Sequence, residues 1–546
     1  LDRMTSGRGR LLTGMLAALC LVAVACSSGD TSDNASNDAA DQPPESTATS
    51  SPPKSPTADA NQPTGWGPTR GEVADARRAA DALSTRELAG QVIVAAYSGT
   101  EPPVQFVEDH HLGGVIVMTE NVASVPAAAH AMRTLQKDVP RDWPLWLSVD
   151  QEGGIVERLG EPMTQFPAYM TAGAARARAP VRDAAYASGG ELLHAGFTVV
   201  YAPDADVTIG PSDPTIGSRS AGGDPRLVSK TVEASLRGYD QAGIIPVVKH
   251  FPGHGSVPAD SHEVLPVQNA SMATLKRRDL PPFGAAIQAG TPAVMISHIA
   301  VKRIDPGVPS SLSHKVVTGL LRHQMGFDGV AITDALNMGA IVNTYGAGGA
   351  AVKALRAGAD VLLMPASVPA AIQAIVAAVD DGKLPRQRLE EAATRMIALL
   401  MHQQASDPKP QPLGSSAKQS LALSRAGITV VDGPCRGAIV HGAVQPVGDS
   451  EAVEAFTDAA GAAGLSVGSG PIVDFVGYGD GSGSGDIVVT TDTPYALGDS
   501  QATTAKIALY GDTPGAMRAL VDVLTGKRRA PGRLPVGVDG MPRTGC

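Results

Sequence analysis

The sequence predicts an α/β fold in which a (β/α)8 TIM barrel is followed by a smaller α/β sandwich domain. Eight short apolar runs recur between Gln91 and Pro365, and helical patterns lie between them. Continuous apolar strands that are separated by crossover helices are typical of a parallel sheet covered by helices. Eight such units match a closed barrel, and an open doubly wound sheet is the alternative.

These runs are the predicted barrel strands. They are QVIVAA from Gln91, GGVIVMT from Gly113, LWLSVD from Leu145, FTVVYAPDADV from Phe197, IIPVVKHF from Ile244, AVMISH from Ala293, GVAITD from Gly329 and DVLLMP from Asp360. The globular part of the chain begins near Ser84, because Ser84 and Glu87 form the Ser-x-x-Glu pattern that caps the start of a helix.

The N-terminus carries the pattern of an export signal. Arg8 and Arg10 precede the apolar run LLTGMLAALCLVAVAC, which is too short to span a bilayer comfortably but suits the core of a signal peptide. The small residues before Cys26 resemble a bacterial lipoprotein box. We therefore expect a lipid on Cys26 and a protein held in the cell envelope, at the outer face of the membrane. An ordinary cleaved signal with a released product is the alternative.

Composition divides the chain into five predicted segments. They are a lipoprotein signal peptide over residues 1–26, a disordered Ser/Thr/Pro-rich tether over 27–68, the catalytic barrel over 69–405, a linker over 406–417 and the α/β sandwich domain over 418–546. The sandwich is predicted from the strand patterns GITVVDG, GAIVHGA, DIVVTTDT and KIALYGDT, with helices near residues 451–463 and 514–524. The sequence leaves open whether Cys435 and Cys546 pair.

Charge and composition restrict the partner. The 546 residues carry a formal net charge of -10 with a pI near 5.7, and the sequence holds no clustered basic segment, which argues against nucleic acid. Aromatic residues make up only 4% of the chain, so few stacking platforms exist for a long glycan. We expect a monomer with a short site for a small neutral ligand.

Polar side chains stand where the predicted barrel strands end. They are Asp150 after the third strand, Asp204 and Asp206 after the fourth, Lys249 and His250 at the fifth, His298 after the sixth and Asp334 after the seventh. In a barrel, all of these ends open onto one face, where the active sites of this architecture lie.

The loop after the fifth strand, KHFPGHGSVPADSH, holds three histidines. His250 and His254 are four residues apart, as in zinc-binding helices, but the Pro-Gly pair between them cannot continue a helix. The metal interpretation therefore loses its geometry, and we expect no metal. His262 lies far enough along the loop to reach back over a bound ligand.

An aspartate at a strand end, opposite a histidine on this loop, predicts displacement at a carbon centre. Asp334 would attack, and His262 would give a proton to the leaving group. Asp260 can accept a hydrogen bond from the imidazole of His262 and favour its protonated form. The alternative for Asp334 is a strand-end cap of the following helix.

Four motifs carry a family resemblance: VDQEGGIVERL from Val149, TIGSRSAGGDP from Thr215, KHFPGHGSVPADSH from Lys249 and AITDALNMGAI from Ala331. Together they resemble the β-N-acetylglucosaminidase (NagZ-type) branch of glycoside hydrolase family 3, over residues 83–400. The C-terminal segment is similar to the second domain of the longer members of this family. Ile155, Ala335 and the pair Gly222 and Gly223 depart from the pattern usual in the branch, which bears on substrate fit.

The resemblance implies a retaining exo-β-N-acetylglucosaminidase that uses no cofactor. It implies that Asp334 is the nucleophile and that His262, oriented by Asp260, is the acid and then the base. The positions that match sugar-binding residues of the branch are Asp150, Arg158, Arg219, Lys249 and His250.

The leading hypothesis is a lipid-anchored enzyme that removes N-acetylglucosamine from peptidoglycan-derived or chitin-type fragments. Within the same family, a phosphorylase that uses phosphate in place of water and a β-glucosidase are the alternatives. A sugar-binding lipoprotein is the alternative from another class. The presence of Asp334, His262 and Asp260 together argues against it, because a binding protein needs neither a nucleophile nor an acid.

Overall fold

The computed structural model describes residues 59–259, 264–479, 481–543 and 546. The predicted signal peptide, Cys26 and nearly all of the tether lie outside the described residues, as do Asp260 and His262. Those assignments, and the domain boundaries that depend on the first segments, stay predictions. In the described part of the chain, no helix is both long enough and apolar enough to cross a bilayer.

The barrel sheet is built from the eight apolar runs. Its strands are β1 (Ile93–Ala95), β2 (Gly114–Val117), β3 (Trp146–Val149), β4 (Val199–Val200), β5 (Ile245–Phe251), β6 (Ala293–Ile296), β7 (Val330–Thr333) and β8 (Leu362–Leu363). They pair in parallel in chain order, with β8 beside β1. A parallel bridge between Ile332 and Val361 joins β7 to the segment before β8 and closes the ring. The predicted barrel is confirmed.

Helices surround this sheet. The α-helices are Arg70–Asp81, Thr85–Gln91, Val104–Asp109, Val125–Asp138, Met170–Ala175, Arg178–His194, Pro225–Ala242, Met272–Arg277, Leu280–Gln288, Gly339–Ala357, Val368–Asp380 and Arg386–Ala405. Short 3-10 turns cover Thr119–Asn121, Gly217–Arg219 and Ser310–Leu312, and a π-helix covers Lys315–Gln324. The predicted capping box is confirmed: Glu87 N–H donates to Ser84 Oγ (3.3 Å), and Ser84 N–H donates to Glu87 Oε2 (2.7 Å).

A buried carboxylate holds the closing edge of the barrel. Asp360, just before β8, accepts from the backbone N–H of Ala331 in β7 at 3.0 Å. It also accepts from Arg322 at 2.5 Å, Arg388 at 2.6 Å and Arg395 at 3.2 Å. Burial would raise the pKa of Asp360, but the three guanidinium charges lower it to about 2. The carboxylate is therefore ionised and fully paired.

The C-terminal domain packs helices against a five-stranded sheet. Its strands are β9 (Thr429–Asp432), β10 (Ala443–Gly448), β11 (Ser466–Val476), β12 (Ile487–Thr490) and β13 (Ala505–Ala508), in the order β9-β13-β12-β11-β10 with β9 antiparallel. Its helices are Ala417–Gly427, Ser450–Ala463, Ala496–Asp499 and Pro514–Leu524. The predicted α/β sandwich is confirmed as a separate sheet covered by helices.

Two strands of this domain differ from the prediction. The pattern GAIVHGA was wrong as a strand, because the N–H groups of Ile439 and Val440 donate to the carbonyl of Leu524 and the strand begins only at Ala443. The strand Ser466–Val476 was missed, because its first half is exposed and rich in Gly and Ser. It pairs in parallel with both β10 and β12.

A disulfide joins Cys435 to Cys546, which the sequence left open. The two cysteines are 111 residues apart, and their Cα atoms lie 5.3 Å from each other. The two domains also meet directly. The N–H of Ala168 donates to the carbonyl of Tyr510 at 3.0 Å, and Ser420 Oγ donates to the carbonyl of Gln165 at 2.7 Å.

Asp360→Asn will lower the free energy of unfolding by about 3 kcal/mol, because it leaves three partly buried guanidinium groups without their carboxylate. The folded-state pKa of Asp360 is depressed, so its contribution is present above the unfolded value near 3.8 and disappears as the pH falls towards about 2. The difference between wild type and variant, measured by urea unfolding, should therefore shrink below about pH 4.

The matched control is Asp381→Asn, which removes an exposed ion pair with Lys383. It should change the free energy of unfolding by no more than about 0.5 kcal/mol. Equal stability of the Asp360 and Asp381 variants at neutral pH would contradict the role given to Asp360.

Candidate active site

A cavity of about 390 Å³ opens at the carboxyl ends of the barrel strands. The structure brings together in it all five predicted sugar-binding residues and the predicted nucleophile: Asp150, Arg158, Arg219, Lys249, His250 and Asp334. Apolar side chains form another part of its wall: Ile116, Met118, Val156, Met295, Met338, Leu363 and Met364. Its volume is that of a site for a small ligand, and its lining combines a few polar groups with apolar surface.

A carboxylate that the sequence analysis missed organises the charged side of the cavity. The carboxylate of Glu152 accepts two hydrogen bonds from the guanidinium of Arg219, from Nε at 2.8 Å and from Nη2 at 2.9 Å. It also forms an ion pair with the ammonium of Lys249, with an N–O distance of 2.6 Å. Lys249 also donates to Asp150 at 2.6 Å. Asp150 and Glu152 are two residues apart where the chain leaves β3, and this alternation was the signal that could have found Glu152.

Lys249, Glu152 and Arg219 stay charged in this network. Burial would lower the pKa of Lys249, but the carboxylates of Asp150 and Glu152 raise it above its usual value. Burial would raise the pKa of Glu152, but Arg219 and Lys249 hold it well below the usual range. The pKa of Arg219 is raised because Glu152 outweighs the effect of burial. Charged donors and acceptors at fixed positions make strong, directional hydrogen bonds to hydroxyl groups.

His250 is oriented from below by Asp206. Its Nδ1 lies 2.7 Å from Asp206 Oδ2, and its Nε2 lies 3.3 Å from a guanidinium nitrogen of Arg219. Because Arg219 can only donate, Nε2 is the acceptor and Nδ1 carries the proton. Asp206 also accepts from the backbone N–H of His254 at 2.5 Å, which holds the start of the histidine loop. Burial lowers the pKa of His254 to about 4, so its ring is neutral at neutral pH.

Asp204, Asp206 and His250 are the candidates for a metal site in the described part of the chain, because their donor atoms lie within 4.8 Å of one another. Burial and the charge of Asp206 raise the pKa of Asp204 well above its usual value, which favours the neutral carboxyl and disfavours a metal ligand. The proton on His250 Nδ1 already points to Asp206. These groups form a hydrogen-bonded support for His250, and the absence of a metal stays a prediction.

Asp334 follows β7 directly. Its N–H donates to the carbonyl of Ile296 at 2.9 Å, and its Oδ1 accepts from the N–H of Ala335 at 2.8 Å. The next helix begins at Gly339 with Met338 as its N-cap, so the alternative role of Asp334 as a helix cap is wrong. The side chain of Asp334 therefore belongs to the cavity.

The carboxyl of Asp334 is ionised. Burial would raise its pKa, but electrostatic interactions with His298 and His250, together with the hydrogen bond from the N–H of Ala335, outweigh burial and lower the pKa below its usual value. The His298 ring is held between Ser311 Oγ at 2.7 Å and the carbonyl of Ala335 at 2.9 Å. An ionised aspartate at the rim of a polar cavity is chemically competent as a nucleophile.

Ile155, which departs from the pattern usual in the family branch, does not face the cavity. The chain from Gln151 to Glu157 forms a two-stranded hairpin, Gln151–Gly153 with Val156–Glu157. Val156 and Arg158 line the cavity, whereas Ile155 is exposed and borders a neighbouring cleft against the C-terminal domain. This departure therefore places an apolar side chain in that cleft and not in the cavity.

The fold and the site define a (β/α)8 barrel with an ionised aspartate and a charged hydrogen-bonding network in a cavity at the carboxyl ends of its strands. The chain belongs to glycosyl hydrolase family 3: the model of the "Glycosyl hydrolase family 3 N terminal domain" matches residues 84–399. The protein is therefore a glycoside hydrolase, and its substrate is a carbohydrate.

The proteins to which the chain is similar agree with this assignment. The chain is 30% identical over 330 residues to beta-hexosaminidase A of Pseudoalteromonas piscicida, a match that covers 55% of each chain, so the chain spans about half the length of that relative. It is 32% identical over 326 residues to beta-hexosaminidase LpqI of Mycobacterium tuberculosis, covering 58% of this chain and 83% of LpqI. A glycoside hydrolase family 3 beta-N-acetylglucosaminidase from Paenibacillus sp. superposes with a TM-score of 0.76 at 28% identity, covering 84% of this chain and 99% of that chain.

Glu152→Gln will weaken binding of N-acetylglucosamine by about 10- to 100-fold, because Arg219 and Lys249 lose the charged acceptor that orients them. Isothermal calorimetry with the monosaccharide measures this. Glu120→Gln, which makes the same substitution at an exposed position, is the matched control and should bind like wild type. Unchanged affinity in Glu152→Gln would show that Glu152 does not contribute to binding of the sugar.

Proposed function

We propose that the protein is a retaining exo-β-N-acetylglucosaminidase that hydrolyses terminal β-linked N-acetylglucosamine from peptidoglycan-derived or chitin-type fragments. The observation that carries this proposal is the ionised Asp334 in one cavity with the Glu152 network. The relatives named beta-hexosaminidase and beta-N-acetylglucosaminidase support the choice of sugar. The small cavity suits a single terminal residue better than a long chain.

In the first step, a carboxylate oxygen of Asp334 attacks C1 of the sugar and forms an ester bond. The bond from C1 to the aglycone oxygen breaks, and the proton of the His262 imidazolium goes to that oxygen. In the second step, His262 takes a proton from water, the water oxygen attacks C1, and Asp334 leaves as a carboxylate. Two inversions at C1 retain the β-configuration. Asp260 holds the imidazole throughout.

The remaining residues bind and orient the sugar. Asp150 accepts from hydroxyl groups, while Lys249 and Arg158 donate to oxygens of the ring substituents and of the N-acetyl group. Arg219 and His250 complete this set from one side. The apolar wall of the cavity offers contact to the acetyl methyl group and to the C–H face of the ring.

The location of the protein in the cell envelope is part of the same proposal. A lipid on Cys26, followed by the tether, would hold a monomeric barrel at the outer face of the membrane, where fragments of the cell wall are within reach. Treatment with a lipoprotein signal peptidase inhibitor should then leave a larger precursor, and Cys26→Ala should release the protein from the membrane fraction.

Asp334→Asn will lower kcat on p-nitrophenyl β-N-acetylglucosaminide by at least about 10³-fold, because an amide cannot form the glycosyl ester. Binding of N-acetylglucosamine should persist. Asp328→Asn, at an exposed position near the same strand, is the control and should turn over like wild type. Full activity of Asp334→Asn would show that Asp334 is not the nucleophile.

The same assay repeated with the β-glucoside and with added phosphate distinguishes the alternatives. Hydrolysis restricted to the N-acetylglucosaminide supports the proposal. A faster rate with phosphate, together with sugar 1-phosphate as the product, would identify a phosphorylase. A preference for the glucoside would identify a β-glucosidase, and a folded protein that turns over neither substrate would be a sugar-binding protein.

His262→Ala will slow substrates with poor leaving groups by about 10²–10⁴-fold and activated p-nitrophenyl substrates much less, because only the former need a proton in the first step. Rates on a disaccharide and on the p-nitrophenyl glycoside measure the contrast. Equal losses on both would show that His262 is not the acid. Asp260→Asn should shift the pH profile, whereas an unchanged profile would separate Asp260 from the imidazole.

A further inference from the structure

The turn that carries Arg219 is held by the C-terminal domain. Gly217–Arg219 form a single 3-10 turn, and Thr215 and Ile216, immediately before it, line the cavity. Arg219 therefore reaches Glu152 from a short irregular segment. The position of its guanidinium depends on whatever fixes this turn.

The central residue of the turn makes a contact that crosses between the domains. The hydroxyl of Ser218 donates to the carboxylate of Asp492, which lies in the loop after β12. Both residues are buried, with exposed fractions of 1% and 8%. A Cβ atom on Gly217 would stand 3.6 Å from a methyl carbon of Thr493, so the loop after β12 passes close to the turn.

A second contact lies just beyond the turn. The N–H of Gly223 donates to the carbonyl of Pro535 at 3.2 Å. Gly222 has a φ of +147°, and a Cβ atom there would lie 2.7 Å from the same carbonyl oxygen, which no side chain permits. Gly222, one of the departures noted in the sequence, is thus explained by close approach of the second domain.

We infer that Asp492 is a positioning residue for the sugar site, acting through Ser218 to hold Arg219 in its pairing with Glu152. The inference rests on the proposed function and adds to it a role for the C-terminal domain. Asp492 does not line the cavity; it borders the neighbouring cleft. Its effect is transmitted by the backbone, because Ser218 and Arg219 are adjacent in one turn, and a two-pronged guanidinium pair tolerates little displacement.

The test compares Ser218→Ala, Asp492→Ala, Asp492→Asn and the double variant Ser218→Ala/Asp492→Ala. Loss of the contact should raise KM for p-nitrophenyl β-N-acetylglucosaminide by about tenfold and change kcat by less than about twofold, because Arg219 contacts the sugar before and during reaction. The dissociation constant of N-acetylglucosamine, measured by calorimetry, should rise in parallel. Asp492→Asn keeps an acceptor oxygen for Ser218 and should restore most of the affinity.

Two further results are required. The double variant should be no weaker than either single variant, because all three lose the same hydrogen bond. Ser420→Ala, which removes a serine hydrogen bond between the domains away from the cavity, should leave KM unchanged. A merely structural role of Asp492 would instead reduce the active fraction, lowering kcat at constant KM, and that pattern would overturn the inference.

Other outcomes are equally decisive. Wild-type KM in Ser218→Ala and Asp492→Ala, or additive losses in the double variant, would contradict the inference. If the wild type turned over no N-acetylglucosaminide, the proposed function would fail by itself. The dissociation constants of the sugar in the variants would still show whether Asp492 positions the binding site.

Discussion

Closure of the barrel between its seventh and eighth strands is the constraint on which the rest of the structure depends. The eighth strand has only two residues, so its own ladder contributes few hydrogen bonds to the seam. The carboxylate of Asp360 adds to them by accepting from the backbone of Ala331 and from three arginines on the surrounding helices. Because the ring closes, Asp334 at the end of the seventh strand lines the same cavity as Asp150 at the end of the third.

Within that cavity the charges are balanced before a ligand arrives. Lys249 and Arg219 are paired with Asp150 and Glu152, so two positive groups face two negative ones. In the function proposed above, a neutral sugar would meet directional donors and acceptors without a strong net charge, and its recognition would depend on the arrangement of its hydroxyls. Preorganised pairs of this kind need little rearrangement when a ligand binds, because the protein has already oriented them.

The barrel strands were predictable because segments buried on both faces are continuously apolar, which surface segments are not. Strand Ser466–Val476 could not be predicted in this way. Its exposed, glycine-rich first half is ordered by pairing with a neighbouring strand and carries no local sequence signal. The strand-end residues of the site followed from the architecture. The alternation with Asp150 could have indicated the position of Glu152, but its pairing with Arg219 could not be predicted, because Arg219 is 67 residues away in the chain and contact over that separation is a property of the folded state.

The disulfide between Cys435 and Cys546 turns most of the C-terminal domain into a covalent ring. Four of the five strands of its sheet lie between the two cysteines, and so does Asp492. A protease that cuts one exposed loop inside this ring opens it without releasing a fragment, because both pieces stay joined through the sulfur atoms. The domain thereby resists loss of its parts to proteolysis in an oxidising environment, even after its backbone has been nicked.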